Sequence, residues 1–146
     1  MADTARREAT SFVDALPRGP RPMTGRLRTA FEAVALAAIL CGLIQFGQQY
    51  ELELQTYGFG WAVYGTIGAT LVALASVYAI SRRGLRLVAW MWLAIYALAF
   101  AVTVHDLAVG VLPDARYAFG MLSIGMDSVA ACLIILWLDR IRKGIA

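Results

Sequence analysis

An aspartate in the middle of an apolar run is the residue of this sequence with the most chemistry to offer. Asp127 sits between Tyr117 and Leu138, with Ser123 one helical turn before it. A carboxyl group in such a run costs about 2.5–3.5 kcal/mol to place at mid-membrane, so it needs a partner or a task. It can hold a proton, pair with a cation, or take part in a hydrogen bond between helices. His105, Gln45, Gln48 and Tyr64 are the other residues that can join it. At a rise of about 1.5 Å per residue, Asp127 falls roughly 20 Å from the helix end near Asp114, close to the middle of an apolar layer about 30 Å thick. Gln45, Gln48 and Tyr64 reach shallower depths on the same side. His105 joins them, entering by roughly 10 Å, if its helix continues to Leu112. The spacing predicts a polar cluster tapering from the outer face down to Asp127. Three roles are open to that carboxyl: a structural hydrogen bond to Ser123 or to helix backbone, a pair with a polar group on another subunit, or the handling of a proton, ion or small molecule. His105 reads as a loop or interface residue before it reads as a proton relay.

Other chemistries fail on inventory. One histidine cannot supply two axial imidazoles to a haem or a three-histidine metal site. The sequence holds no nucleophile elbow, phosphate-binding glycine loop or zinc-helix motif. Cys41 and Cys132 lie at helix depths roughly 9 Å apart, which does not favour a disulfide, and no CxxC pair occurs. Both read as small packing residues. Glu32 lies one turn inside an apolar run near Arg28, where it can pair or extend to the interface. No catalytic residue, cofactor or metal is expected from these residues.

The elements that position this set follow from composition. The chain has 146 residues, 60% of them hydrophobic and only 16% charged, and a mean hydropathy of +0.66. Its charges gather at the two ends and in short gaps, leaving runs long enough to cross a bilayer at about 20 residues each. The expected fold is all-α: a polytopic four-transmembrane-helix bundle over 29–138, between an N-terminal segment 1–28 and a basic tail 139–146. Helix 1 runs from about Thr29 to Gln49 and helix 2 from about Gly58 to Ile80. Helix 3 starts near Leu85 and ends either near Val104 or, passing through His105-Asp106, near Leu112. Helix 4 runs from about Tyr117 to Leu138, with Pro113-Asp114 as its turn and Asp114 as its N-cap. The stretches 50–57 and 106–116 are read as loops. In the N-terminal segment, Ala5, Ala9, Phe12, Val13 and Leu16 share one helical face before a Pro/Arg-rich linker, suiting a tail or a surface-lying amphipathic segment.

Charge sets the expected orientation. Twelve of the 13 basic residues fall in the N-terminal segment, the gap at 82–86 and the tail. The other side holds Arg116 with Glu51, Glu53, Asp106 and Asp114. The positive-inside rule then places both termini in the cytoplasm. Arginine over lysine, with abundant alanine, suggests a bacterial inner membrane. Topology accounts for the basic residues, so no nucleic-acid partner is implied.

Small residues indicate how the helices meet, since lipid supplies no hydrophobic drive for association. Ala33, Ala37 and Cys41 lead to Gln45 and Gln48 on helix 1. Gly65, Ala69 and Ala73 lie on helix 2; Ala97 and Ala101 lead to His105 on helix 3; Gly120, Ser123, Asp127 and Ala131 lie on helix 4. Gly58, Gly60, Gly65 and Gly68 are read as packing positions, and Trp90, Trp92, Phe100 and Trp137 as outer or interfacial anchors. The expected partners are membrane lipids and other membrane subunits or further copies of the chain. The function these features favour is an accessory or structural subunit of a larger membrane complex. The alternatives are a small proton- or ion-coupled transporter using Asp127, or a quinone- or lipid-binding membrane protein.

Overall fold

The computed structural model describes residues 21–109 and 118–144, the side chains of Asp106 and Leu107 excepted. The expected amphipathic face at 5–16 and the Asp114 cap lie outside the described residues. All regular structure among the described residues is helical: α1 (Gly25–Gln48), α2 (Tyr50–Phe59), a π-helical turn (Gly60–Tyr64), α3 (Gly65–Ser81), α4 (Arg86–Ala108) and α5 (Ala118–Arg142). Four stretches are long and apolar enough to cross a membrane: Gly25–Gln48, Tyr50–Ser81, Arg86–His105 and Ala118–Arg142.

One boundary differs from the sequence reading. Residues 50–57, expected as a loop, are helical, and the chain breaks instead at Gly58, whose φ of 74° and ψ of 161° lie outside the helix region. Only glycine takes that backbone readily. Glu51 and Glu53 interrupt the apolar run and so read as a loop, but both sit in the first turn of α2, Glu51 exposed and Glu53 half-buried, where they suit the helix dipole. Of the two courses expected for the third span, the structure takes the longer: α4 continues through His105-Asp106 to Ala108.

The helices run up and down in a ring. α1 packs on α5 most extensively, α5 on α4, α4 on α3, and α3 back on α1. No Cα of α1 comes within 8 Å of α4 by this measure, nor of α3 to α5. The seam of α1 is Phe31, Ala35, Ala38 and Cys41, and that of α5 is Ala130, Ile134, Trp137 and Ile141. Both seams advance by steps of three or four residues, and on α5 these alternate four, three, four as in coiled-coil packing.

The core lies at one end. Phe31 and Ala35, Val77 and Ile80, Ala89, and Ala130 through Ile141 form one buried cluster with Met23, all beside the arginine-bearing helix ends. Met23 is only 1% exposed, and its N–H donates to the Ser81 carbonyl at 3.0 Å. Gly84, with φ +64°, lies so close to the Arg21–Pro22 peptide that a Cβ would overlap it. The last residues of the expected tail are therefore part of the bundle's basic end. There too, the Arg82 guanidinium forks onto Glu32, Nε to Oε1 at 2.7 Å and the second nitrogen to Oε2 at 3.3 Å. The partner of Glu32 is Arg82 across the helix pair rather than its near neighbour Arg28.

Several packing expectations are corrected by this one-ended core. Trp137 is buried to 1% exposure and sits in the core; an interfacial anchor was expected because it is near a basic terminus. Trp90 and Phe100 do face outward. On α1 the buried small residues are Ala35, Ala38 and Cys41; of the expected stripe Cys41 is buried, Ala37 half-buried and Ala33 exposed. Ala97, Ala101 and His105 are exposed on α4. Nothing lies within 4 Å of a Cβ built at Gly58, Gly60, Gly65 or Gly68, so these glycines do not bring helices together. The N-terminal half of α3 stands clear of its neighbours at Gly65 and Gly68.

Candidate functional site: a four-walled cleft around Asp127

Because the helices close only at the basic end and the diagonals do not meet, a cleft of about 570 Å³ remains between all four walls. Its α1 side is Ala38, Ile39, Gly42, Leu43 and Phe46, and its α3 side runs from Thr66 through Ala69 to Ala73. Trp92, Tyr96 and Ala99 come from α4, and Ser123 and Asp127 from α5. Small residues on α3 leave the space open. The hydroxyls of Thr66 and Thr70 are satisfied locally by the carbonyls four residues back, at 2.7 and 2.8 Å, so that wall presents mainly apolar surface.

The α1–α5 wall is fixed by two bonds between helices. Ser123 Oγ donates to the Ala38 carbonyl at 3.0 Å. The Gly120 N–H donates to Gln45 Oε1 at 2.8 Å. Gly120 lies in the first described turn of α5, where helical N–H groups have no intrahelical acceptor, so Gln45 serves as a cap supplied by a neighbouring helix. Ser123, expected as the hydrogen-bond partner of Asp127, is instead committed to α1.

Asp127 faces the cleft half-buried, and its neighbour is Tyr96. The Tyr96 hydroxyl is sealed from solvent and faces the Asp127 carboxyl without closing a hydrogen bond of good geometry. The Tyr96 ring meets Trp92 edge-on, with centroids 4.8 Å apart. Among the described residues Asp127 is the one charged side chain lining the cleft, and no salt bridge reaches it.

Comparison of the chain with protein-family models, with curated proteins and with solved structures found no match. What the cleft can do therefore rests on its own geometry.

Of the six polar residues singled out in the sequence, the structure places Asp127 and Ser123 on the cleft and Gln45 at its α1–α5 edge. It does not bring in the other three. Tyr64 is 68% exposed and packs edge-on against Phe59; Gln48 and His105 are exposed and line none of the cleft. Depth alone grouped these residues, and depth does not fix the face of the helix on which each lies. Tyr96, Trp92 and Phe46 were missed as site residues. The available signal was spacing: Trp92 and Tyr96 are four apart, one turn apart on the same face of α4. Among the described residues no cluster of three metal-binding side chains occurs.

Proposed function

We propose that this is a small multi-pass membrane protein whose four-helix bundle binds a small, largely apolar molecule in the cleft around Asp127. The observation that carries this is the cleft itself: about 570 Å³, within the range of small-molecule sites, apolar on all four walls and bearing one carboxyl. Binding pockets have that composition, many apolar contacts with few polar groups to orient the ligand. The charge asymmetry supports both termini in the cytoplasm, and the arginine-rich, alanine-rich composition supports a bacterial inner membrane. A cleft ending at a half-buried carboxyl also suits ion- or proton-coupled movement of the ligand. The test is native mass spectrometry of the protein released from mild detergent. The expected spectrum carries one small-molecule adduct per chain; a spectrum of bare protein alone contradicts the proposal.

A second reading, an accessory subunit of a larger membrane complex, is favoured by a different observation. α2 is a helix without buried residues, and Tyr57, Phe59, Trp61 and Tyr64 are exposed at the same end. Such aromatics suit a bilayer interface or the surface of another membrane protein. Migration with larger partners in native gels of solubilised membranes supports this reading. Migration as a monomer or a simple oligomer of the chain contradicts it.

A further inference from the structure

The cleft's charge and ring content narrow what it takes. An unpaired carboxyl is costly in an apolar surround, and its charge is stabilised by a cation brought to within a few ångströms. Among the described residues no arginine, lysine or histidine lines the cleft to do this. Three of the bundle's cations pair elsewhere: Arg82 on Glu32, Lys143 and Arg142 on Asp139. Three aromatic residues share the space with Asp127, namely Phe46 from α1 and Trp92 and Tyr96 from α4. Aromatic rings attract cations through their faces, Trp most strongly, and such contacts strengthen away from water. A neutral apolar ligand would use the rings and leave a carboxylate charge there uncompensated. An anion would meet repulsion. The Tyr96 hydroxyl, sealed from solvent beside the carboxyl, can turn its proton toward the carboxylate or its oxygen toward an incoming N–H.

A route to the site is also visible. On the outer side of the α4–α5 seam lies a second, almost wholly apolar groove of about 600 Å³, lined by Trp90, Leu93, Tyr96 and Phe100 with Ser128 and Ile135. Between groove and cleft is a void of about 20 Å³ bordered by Tyr96, Asp127 and Ser128. Tyr96 thus stands between a space facing outward from the bundle and the carboxyl within.

We propose that the cleft is a binding site for an organic cation with an apolar body, its charge against Asp127 and its body among Phe46, Trp92 and Tyr96. This rests on the cleft being a ligand site and adds the ligand's class. The direct probe is the cation tetraphenylphosphonium, paired with the anion tetraphenylborate of the same shape. Each is titrated by equilibrium dialysis against detergent-solubilised full-length protein, with detergent alone subtracted. The expected result is saturable binding of the cation and none of the anion. Asp127→Asn should weaken cation binding by at least about tenfold, since a charge contact at partly buried sites exceeds the 1.4 kcal/mol that a factor of ten represents. Asp127→Glu, which keeps the charge, should retain binding within a few-fold, guarding against a fold defect in the Asn variant. Equal binding of the two ions, or undiminished cation binding to Asp127→Asn, overturns the cation assignment while leaving the cleft as a ligand site. Absence of binding by either ion also overturns it, and the adduct seen or missed by native mass spectrometry then decides separately whether the cleft binds anything.

Discussion

Ser123 Oγ donates to the Ala38 carbonyl at 3.0 Å, which commits the hydroxyl to the α1–α5 seam and leaves Asp127, one turn further along α5, without it. One bond thus separates two roles that the sequence runs together. Ser123 and Gln45 hold the wall, and Asp127 faces the space.

That division predicts graded, structural losses for the wall residues. Interhelical hydrogen bonds in membranes average about 0.6 kcal/mol, so Ser123→Ala should lower unfolding stability by roughly that amount. Gln45→Leu should cost more, because it leaves the Gly120 N–H unsatisfied as well as removing the bond. Denaturant titration of the reconstituted protein, followed by circular dichroism, measures both. A larger loss for Ser123→Ala than for Gln45→Leu goes against the assignment.

At the basic end, Gly84 should resist substitution. Its positive φ disfavours any side chain, and its Cβ would overlap the Arg21–Pro22 peptide. Gly84→Ala should cost at least about 1 kcal/mol and expose the peptide bonds around residue 21 to protease. Gly68→Ala, at a helical position with open space around it, should be neutral or mildly stabilising. Equal melting temperatures for the two variants would count against the packed linker.

Two tryptophans near the same end should behave oppositely. Trp137 is in the core and Trp90 is 60% exposed. Trp137→Ala removes a side chain packed on all sides and should lower stability by about 3 kcal/mol if the soluble-core scale holds, whereas Trp90→Ala should change it little. Thermal shift with a thiol-reactive dye, in a background with the exposed Cys132 replaced by serine so that only the buried Cys41 reports, reads both variants. Comparable shifts would mean that Trp137 is not in the core.

How far the sequence could be read depends on what kind of signal each feature left. The four spans were legible because length and apolarity are local properties, and the α5 line of Gly120, Ser123 and Asp127 was legible because polar residues stand out in it. The packing face of α1 was not: with lipid outside and protein inside, both sides of a helix are apolar, so periodicity marks no face. Alanine is abundant enough that Ala33–Ala37 looked as good as Ala35–Ala38. Trp137 and Trp90 carry the same residue type near the same end, and only the ring order of the helices separates them. Tyr64 and His105 share a depth with Gln45 but not a direction. The Met23 anchor depends on a contact with Ser81, distant in sequence, that no local pattern announces.

Orientation in the bilayer has its own test. In a background with Cys41 and Cys132 replaced by serine, a cysteine at Glu53 should react with an impermeant maleimide added outside intact cells. One at Arg83 should react only after the cells are opened. Labelling of position 83 from outside would reverse the proposed topology.

The claim on which the rest depends is that the space between α1, α3, α4 and α5 receives a ligand, and a plug tests it most directly. Ala73 lines the cleft from α3, above the core residues Val77 and Ile80, so Ala73→Trp should fill the space without entering the core. The measurement is the native mass spectrum of this variant beside the wild-type protein, with helical content checked by circular dichroism. The account predicts that the small-molecule adduct disappears while the helical signal is unchanged. An adduct retained at wild-type level in a well-folded Ala73→Trp protein would contradict it.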